Sequence, residues 1–105
     1  MHTQSQTRPD TGVALSVVIP VYNEAETIPH LRRAVTAALD KLGLPYEVVV
    51  VDDGSRDGTP ALLEAIQAED PRWVIVALRR NFGQTAAMSA GFDQARGEVI
   101  VTMDG

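Results

Sequence analysis

Four clusters of polar and charged residues stand where short apolar runs stop: Tyr22-Asn23-Glu24, Asp52-Asp53, Arg79-Arg80-Asn81 and Asp104. The face of Tyr22 suits stacking on a base or ribose, and the carboxylate of Glu24 suits accepting from hydroxyl groups. Packing at a sheet edge explains Tyr22 equally well, and a place in the first helical turn, favoured by the helix dipole, explains Glu24. This turn alone leaves both readings open. Asp52 and Asp53 are adjacent at a predicted strand end and so point to opposite sides. Asp53 is expected to face a crevice, where it could accept from the N–H of a pyrimidine or purine, while Asp52 braces the glycine-rich turn. An ordinary acidic turn would carry the same letters. Arg79 and Arg80 could meet a phosphate in a forked geometry, with pairing to nearby acids the competing explanation for Arg80.

These clusters share one edge only if the runs that carry them form a parallel sheet. Open α/β sheets bind ligands in the crevice at the carboxyl ends of their strands. Leu15 to Val21 (LSVVIPV), Tyr46 to Val51 (YEVVVV), Trp73 to Leu78 (WVIVAL) and Glu98 to Met103 (EVIVTM) read as strands buried on both faces. Between the first two, Ile28, Leu31, Val35, Ala38, Leu39 and Leu42 recur at three- and four-residue steps, which predicts a helix over 27–42 that stops at Gly43. Thr59 as N-cap and Pro60 at the first helical position predict a second helix through about Ala68. A third, over Gln84 to Ala95, carries the small residues Ala86, Ala87, Ser89, Ala90 and Gly91, which let a helix lie close to the sheet or to a ligand, with tight packing the favoured reading. Strand and helix alternate three times, which means parallel pairing with right-handed crossovers and a doubly wound α/β sheet.

A chain of 105 residues makes one domain. Its net charge is −5 and Lys41 is its only lysine, so a nucleic acid is excluded as partner for want of a broad cationic surface. A small phosphorylated ligand is compatible with that charge, because a divalent cation held by carboxylates neutralises a diphosphate locally. The absence of cysteine removes disulfides, thiolate zinc sites and cysteine nucleophiles. His2 and His30 are isolated from each other. No stretch approaches the roughly 20 apolar residues of a membrane span. Residues 1–14 are expected to form a disordered tail and 15–105 the folded part. The first strand-to-helix turn, Pro20-Val21-Tyr22-Asn23-Glu24, holds neither the Gly-x-Gly-x-x-Gly of a dinucleotide fold nor the lysine of a P-loop.

Read together, Leu15 to Glu24 (LSVVIPVYNE), Val49 to Ser55 (VVVDDGS), Arg79 to Gln84 (RRNFGQ) and Met103-Asp104-Gly105 resemble the family-two glycosyltransferases. Within them the chain is most similar to the branch resembling dolichyl-phosphate mannosyltransferase and the bacterial polyprenyl-phosphate sugar transferases. The resemblance implies the N-terminal half of a Rossmann-like, GT-A type fold with four parallel strands and three helices. It implies Pro20, Tyr22, Glu24, Val51 and Asp53 around the base and ribose of a GDP- or UDP-sugar. Asp104 would open an Asp-x-Asp motif that binds ribose and diphosphate through Mg²⁺ or Mn²⁺, as catalytic residue and metal ligand, with Gly105 at the middle position. The second carboxylate of that motif is absent from the chain, so an inactive, soluble N-terminal fragment is expected. The whole protein would pass the sugar, with inversion, to a polyprenyl (dolichyl or undecaprenyl) phosphate. Membrane association at the cytoplasmic face would come through segments after residue 105. A transferase acting on a glycan hydroxyl and a non-catalytic nucleotide-binding module are the alternatives. A phosphorylation-receiver domain ranks below them, because its acidic pair follows the first strand and the only lysine here is helical Lys41.

Overall fold

The computed structural model describes residues 3–5 and 11–103. The expected Asp104 and Gly105 contacts lie outside the described residues. β-Branched runs become strands and amphipathic spacings become helices in the order β1 Thr3–Ser5, β2 Leu15–Val21, α1 Ile28–Asp40, β3 Tyr46–Asp52, α2 Thr59–Glu69, β4 Trp73–Ala77, α3 Gln84–Gln94 and β5 Val99–Thr102. The sheet order is β1-β5-β2-β3-β4. The four strands β5, β2, β3 and β4 are parallel, with Leu15 opposite both Tyr46 and Val99, and Val48 opposite Trp73.

From β2 the chain steps outward to β3 and β4, then returns to the other side of β2 for β5. Right-handed crossovers therefore put α1 and α2 on one face and α3 on the other. Val17, Ile19, Val21, Val48 and Val50 pack with Ile28, Val35, Leu39, Leu63, Ile66 and Trp73 on the first face. Val18, Val49, Val51 and Ile100 pack with Ala87 and Ala95 on the second. Each valine buried in this way contributes about 1.5 kcal/mol or more relative to exposure. The small residues of α3 serve the close packing expected of them: a Cβ on Gly91 would stand 2.3 Å from Val18 Cγ1 and 3.1 Å from Val51 Cγ2.

Several boundaries differ from the sequence reading. Thr3–Ser5 pairs antiparallel with Val99–Val101, and residues 11–14 are tied down through the Ala14 N–H to Pro45 O, the Val99 N–H to Ala14 O and the Thr11 hydroxyl to Arg96 O. The tail expected over 1–14 is corrected at those residues, because the outer edge of β5 offers unpaired N–H and C=O groups to any short extended segment. Ala38 is exposed within α1, and Leu42 is 53% exposed because the helix ends at Asp40 and Gly43 (φ +66°) turns the chain toward β3. Thr59 lies within the first turn of α2 and not at its cap, and its buried hydroxyl serves another turn, described below.

At the amino end of the sheet, Glu47 is 1% exposed yet fully engaged. It accepts from the Ser16 hydroxyl (2.5 Å) and from the Arg96 N–H (2.6 Å) and Nε (3.1 Å), which ties the exit of α3 to β2 and β3. Beside it, the Tyr46 hydroxyl donates to Asp40 (2.7 Å) and Arg72 lies over its ring at 4.6 Å. Burial, helped by that hydrogen bond, pushes the Tyr46 phenol up to about 12. The hydrogen bond from Arg72 holds Asp70 below the usual carboxylate range.

Candidate functional site

Three strand-to-helix turns meet at the carboxyl end of the sheet. The turn after β2 bends at Asn23, whose φ of +50° is one that asparagine tolerates better than most residues. That turn is fastened to the one after β3. The Asn23 N–H donates to Ser55 Oγ (2.8 Å), the Glu24 N–H to Thr59 Oγ1 (3.0 Å) and the Ala25 N–H to Asp57 Oδ2 (3.2 Å), while the Arg56 N–H donates back to Asn23 Oδ1 (2.9 Å). Asp57 also accepts the Thr59 N–H (2.9 Å), and its hydrogen bonds with Thr59 hold its carboxyl below the usual range. Glu24 sits just before α1, where its carboxylate accepts the Thr27 hydroxyl (2.8 Å).

Asp52 and Asp53 divide as their alternation predicts. Asp52 accepts the Ser55 N–H (3.0 Å) and so braces its own turn. Asp53 points to the opposite side, 5% exposed, and reaches across to the turn after β4. Its Oδ1 accepts the Phe82 N–H (2.8 Å), and its Oδ2 accepts the Gly83 N–H (3.0 Å) and Asn81 Nδ2 (3.2 Å). A carboxylate offers about four acceptor positions, so one is free for a ligand. The negative charge also lies at the amino end of α3, where the helix dipole favours it.

Pro20, Val21, Tyr22, Glu24, Asp53, Asn81, Gly83 and Gln84 enclose a cleft of about 400 Å³. Tyr22, 43% exposed, offers the aromatic wall, Glu24 and Asp53 offer acceptors, and the amides of Asn81 and Gln84 offer both donors and acceptors. A base or nucleoside matches this combination of stacking and hydrogen bonding. Of the residues expected at the site, Pro20, Tyr22, Glu24 and Asp53 thus come together. Val51 is completely buried beneath α3 and is not among the residues that line the cleft. Asp104 and Gly105 lie outside the described residues. Asn81, Gly83 and Gln84 were not among the expected contacts. The signal for them was the Asn-Phe-Gly turn between an apolar run and a helix, in the position where the other two turns carry their polar residues.

A divalent cation finds no ready site here. Among the described residues no group of three or more His, Asp or Glu side chains is placed to hold a metal ion, and the Asp53 carboxylate is largely spent on the third turn. Asp104, the expected metal ligand, lies outside the described residues.

Comparison with known proteins gives the family and the fold. The chain is 54% identical over 91 residues to an undecaprenyl-phosphate 4-deoxy-4-formamido-L-arabinose transferase of Pseudomonas fluorescens (strain SBW25), a match covering 86% of the chain and 27% of that protein. It is 50% identical over 91 residues to the protein of the same name from Aeromonas hydrophila, over 86% of the chain and 28% of that protein. The chain thus spans about a quarter of the length of the relatives it matches. Among solved structures it is similar to S. aureus TarS 1-349 in complex with UDP-GlcNAc, with a TM-score of 0.74 and 29% identity over 88% of the chain and 26% of TarS. It is also similar to the mannosyltransferase PcManGT of Pyrobaculum calidifontis in complex with GDP-Man and Mn²⁺, with a TM-score of 0.67 and 29% identity over 96% of the chain and 30% of that one. The four parallel strands and three helices are those of a GT-A type glycosyltransferase fold. The model of glycosyl transferase family 2 matches residues 16–105, and with those turns at one sheet edge the chain belongs to that family.

Proposed function

We propose that the chain is the donor-binding part of a glycosyltransferase that moves a sugar from a GDP- or UDP-sugar to a polyprenyl phosphate. The observation that carries this reading is the cleft in which Tyr22, Glu24, Asp53 and Asn81 meet at the carboxyl edge of the sheet. Support for the donor comes from the UDP-GlcNAc and GDP-Man held by similar structures, and support for the acceptor from the undecaprenyl phosphate in the relatives' name.

In this reading the base stacks on Tyr22 and the ribose hydroxyls donate to Glu24. Asp53 offers its remaining acceptor position to a base N–H and keeps Asn81 and the start of α3 against the ligand. A phosphate monoester has its second pKa near about 6, so at neutral pH the acceptor is already largely dianionic and attacks the anomeric carbon without a general base. The acceptor oxygen forms the new bond as the nucleoside diphosphate leaves from the opposite side, which inverts the configuration. A sugar hydroxyl as acceptor would need a positioned carboxylate. Mg²⁺ or Mn²⁺ with Asp104 as ligand and catalytic residue, and Gly105 beside it, belong to the proposal from outside the described residues. The Mn²⁺ of PcManGT supports the ion. None of the described helices is long and apolar enough to cross a membrane. Association with the cytoplasmic face of a membrane is part of the same proposal, supported by a lipid-linked acceptor.

The test is a titration of the chain with UDP- and GDP-sugars, followed by calorimetry and amide chemical shifts. Binding with shifts at Tyr22, Asn81 and Gln84 is expected, and Tyr22→Ala should weaken it by roughly tenfold, the worth of one aromatic stack. Shifts elsewhere, or an unchanged affinity in the variant, would overturn the assignment.

A further inference from the structure

Tyr22 and Asn81 wall the nucleotide cleft on one side and face a second cleft on the other. This second space, about 420 Å³, lies between the turns after β3 and β4 and is lined by Ser55, Arg56, Arg79 and Arg80. Cations elsewhere among the described residues are either ion-paired or, like Arg33 and Lys41, stand singly on α1 or just after it. Arg32, Arg72 and Arg96 are each ion-paired, to Glu69, to Asp40 and Asp70, and to Glu47. None of Arg56, Arg79 and Arg80 is paired with a carboxylate among the described residues. A protein of net charge −5 has gathered three uncompensated guanidiniums at one concavity. The one acidic side chain in the lining, Asp52, is buried and already accepts the Ser55 N–H.

The frame that holds these arginines is rigid. Gly54, at φ +75°, lies so close to the next turn that a Cβ on it would meet the Arg80 carbonyl carbon at 2.2 Å and the Asn81 nitrogen at 2.4 Å. The Asn81 side chain is bonded to Asp53, and the Arg80 guanidinium stacks on the Phe82 ring at 4.6 Å. Pro60 closes the wall at the start of α2. The cationic groups are therefore presented by two turns that lock each other in place.

We propose that this cleft is a second anion site, separate from the nucleotide cleft, that takes the dianionic head of a phosphate monoester. A carboxylate is a monoanion that one guanidinium fork satisfies, whereas three unpaired forks match the charge and the several acceptor oxygens of a phosphate. The volume leaves room for the ester substituent beside the phosphate. The same chemistry is offered by a soluble phosphate and by the head of a phosphorylated lipid.

The experiment titrates the full chain with inorganic phosphate and, separately, with a short prenyl monophosphate, reading amide shifts. Shifts centred on Ser55, Arg56, Arg79 and Arg80 are expected. The double substitution Arg56→Ala with Arg79→Ala should cost roughly tenfold or more in affinity, and Arg79→Lys a smaller loss because the fork is removed while the charge stays. Binding of a UDP-sugar by the same variants serves as the control for folding and should be unchanged. A prenyl monophosphate that binds tighter than inorganic phosphate identifies a lipid head as the source, and equal affinities identify a soluble phosphate. Either result supports the site. No saturable shift, shifts at Tyr22 and Gln84 with none at Arg56 and Arg79, or full affinity in the double variant would overturn it.

Discussion

Replacing Asp53 by asparagine tests whether this carboxylate is a structural brace as well as a ligand contact. The native group accepts three hydrogen bonds, from the Phe82 N–H (2.8 Å), the Gly83 N–H (3.0 Å) and Asn81 Nδ2 (3.2 Å). Asparagine has one acceptor oxygen and one NH₂. Its best rotamer keeps the oxygen toward Gly83 and Asn81, which turns the NH₂ onto the Phe82 N–H and leaves that donor without a partner. An unmet donor costs about 1–3 kcal/mol, and converting the other two bonds from charge-assisted to neutral removes about half their strength. The Phe82 residue is exposed enough for water to recover part of the loss, so the expected destabilisation is about 2–4 kcal/mol. That is a large share of the roughly 5–15 kcal/mol that holds a domain folded. Urea unfolding should show a lower midpoint, and hydrogen exchange at the Phe82 and Gly83 amides should accelerate roughly 10- to 1000-fold. If Asp53→Asn keeps its midpoint within about 0.5 kcal/mol and leaves both amides protected while nucleotide affinity falls, the bracing role is refuted and only the ligand contact stands.

Two further outcomes follow from the packing and the titrations. Gly91→Ala gains about 1 kcal/mol of helix propensity but drives a methyl to 2.3 Å from the stiff Val18 side chain, an overpacking that costs about 1–3 kcal/mol; the melting temperature should fall, and a rise would show that α3 can lift from the sheet. Asp70 has a folded pKa below its unfolded value, so its contribution is present at neutral pH and fades as pH drops through the acid range below about 4. Tyr46 is raised from 10.0 to about 12, so its contribution is complete below pH 10 and is lost as pH climbs through that interval. Denaturant midpoints measured against pH should fall at both ends, and Tyr46→Phe should abolish the alkaline fall alone.

Strands and helices were legible wherever one local signal sufficed. The valine run of β3 is bounded by turn residues, Gly43 has the positive φ of a helix stop, and the strand-helix alternation leaves one handedness of crossover. Tyr22 and Asp53 were placed in one crevice because each stands at the carboxyl end of its strand, immediately after Val21 and Asp52, and parallel strands share that edge. What stayed hidden depended on contacts far apart in sequence. Thr59 has the letters of an N-cap, but its hydroxyl is used by the Glu24 N–H across the neighbouring turn. Val51 shares its side of the strand with Asp53, yet α3 covers it. Asn81 enters the site because Asp53 captures the third turn, which no spacing along the chain announces. Arg56, too, meets Arg79 and Arg80 only through the contact of Gly54 with the Arg80 backbone.

The three side chains that fasten the first turn have a chemical consequence for whatever binds beside it. In phosphate-cradling folds, successive main-chain amides after the first strand turn toward the diphosphate and wrap its oxygens. Here the amides of residues 23, 24 and 25 are consumed by Ser55, Thr59 and Asp57. This mouth therefore offers side chains that suit a nucleoside, and leaves none of the amides of residues 23–25 open to a pyrophosphate. If the cleft takes a nucleotide-sugar as proposed, the charge of the leaving diphosphate would be met by groups that approach from beyond this turn.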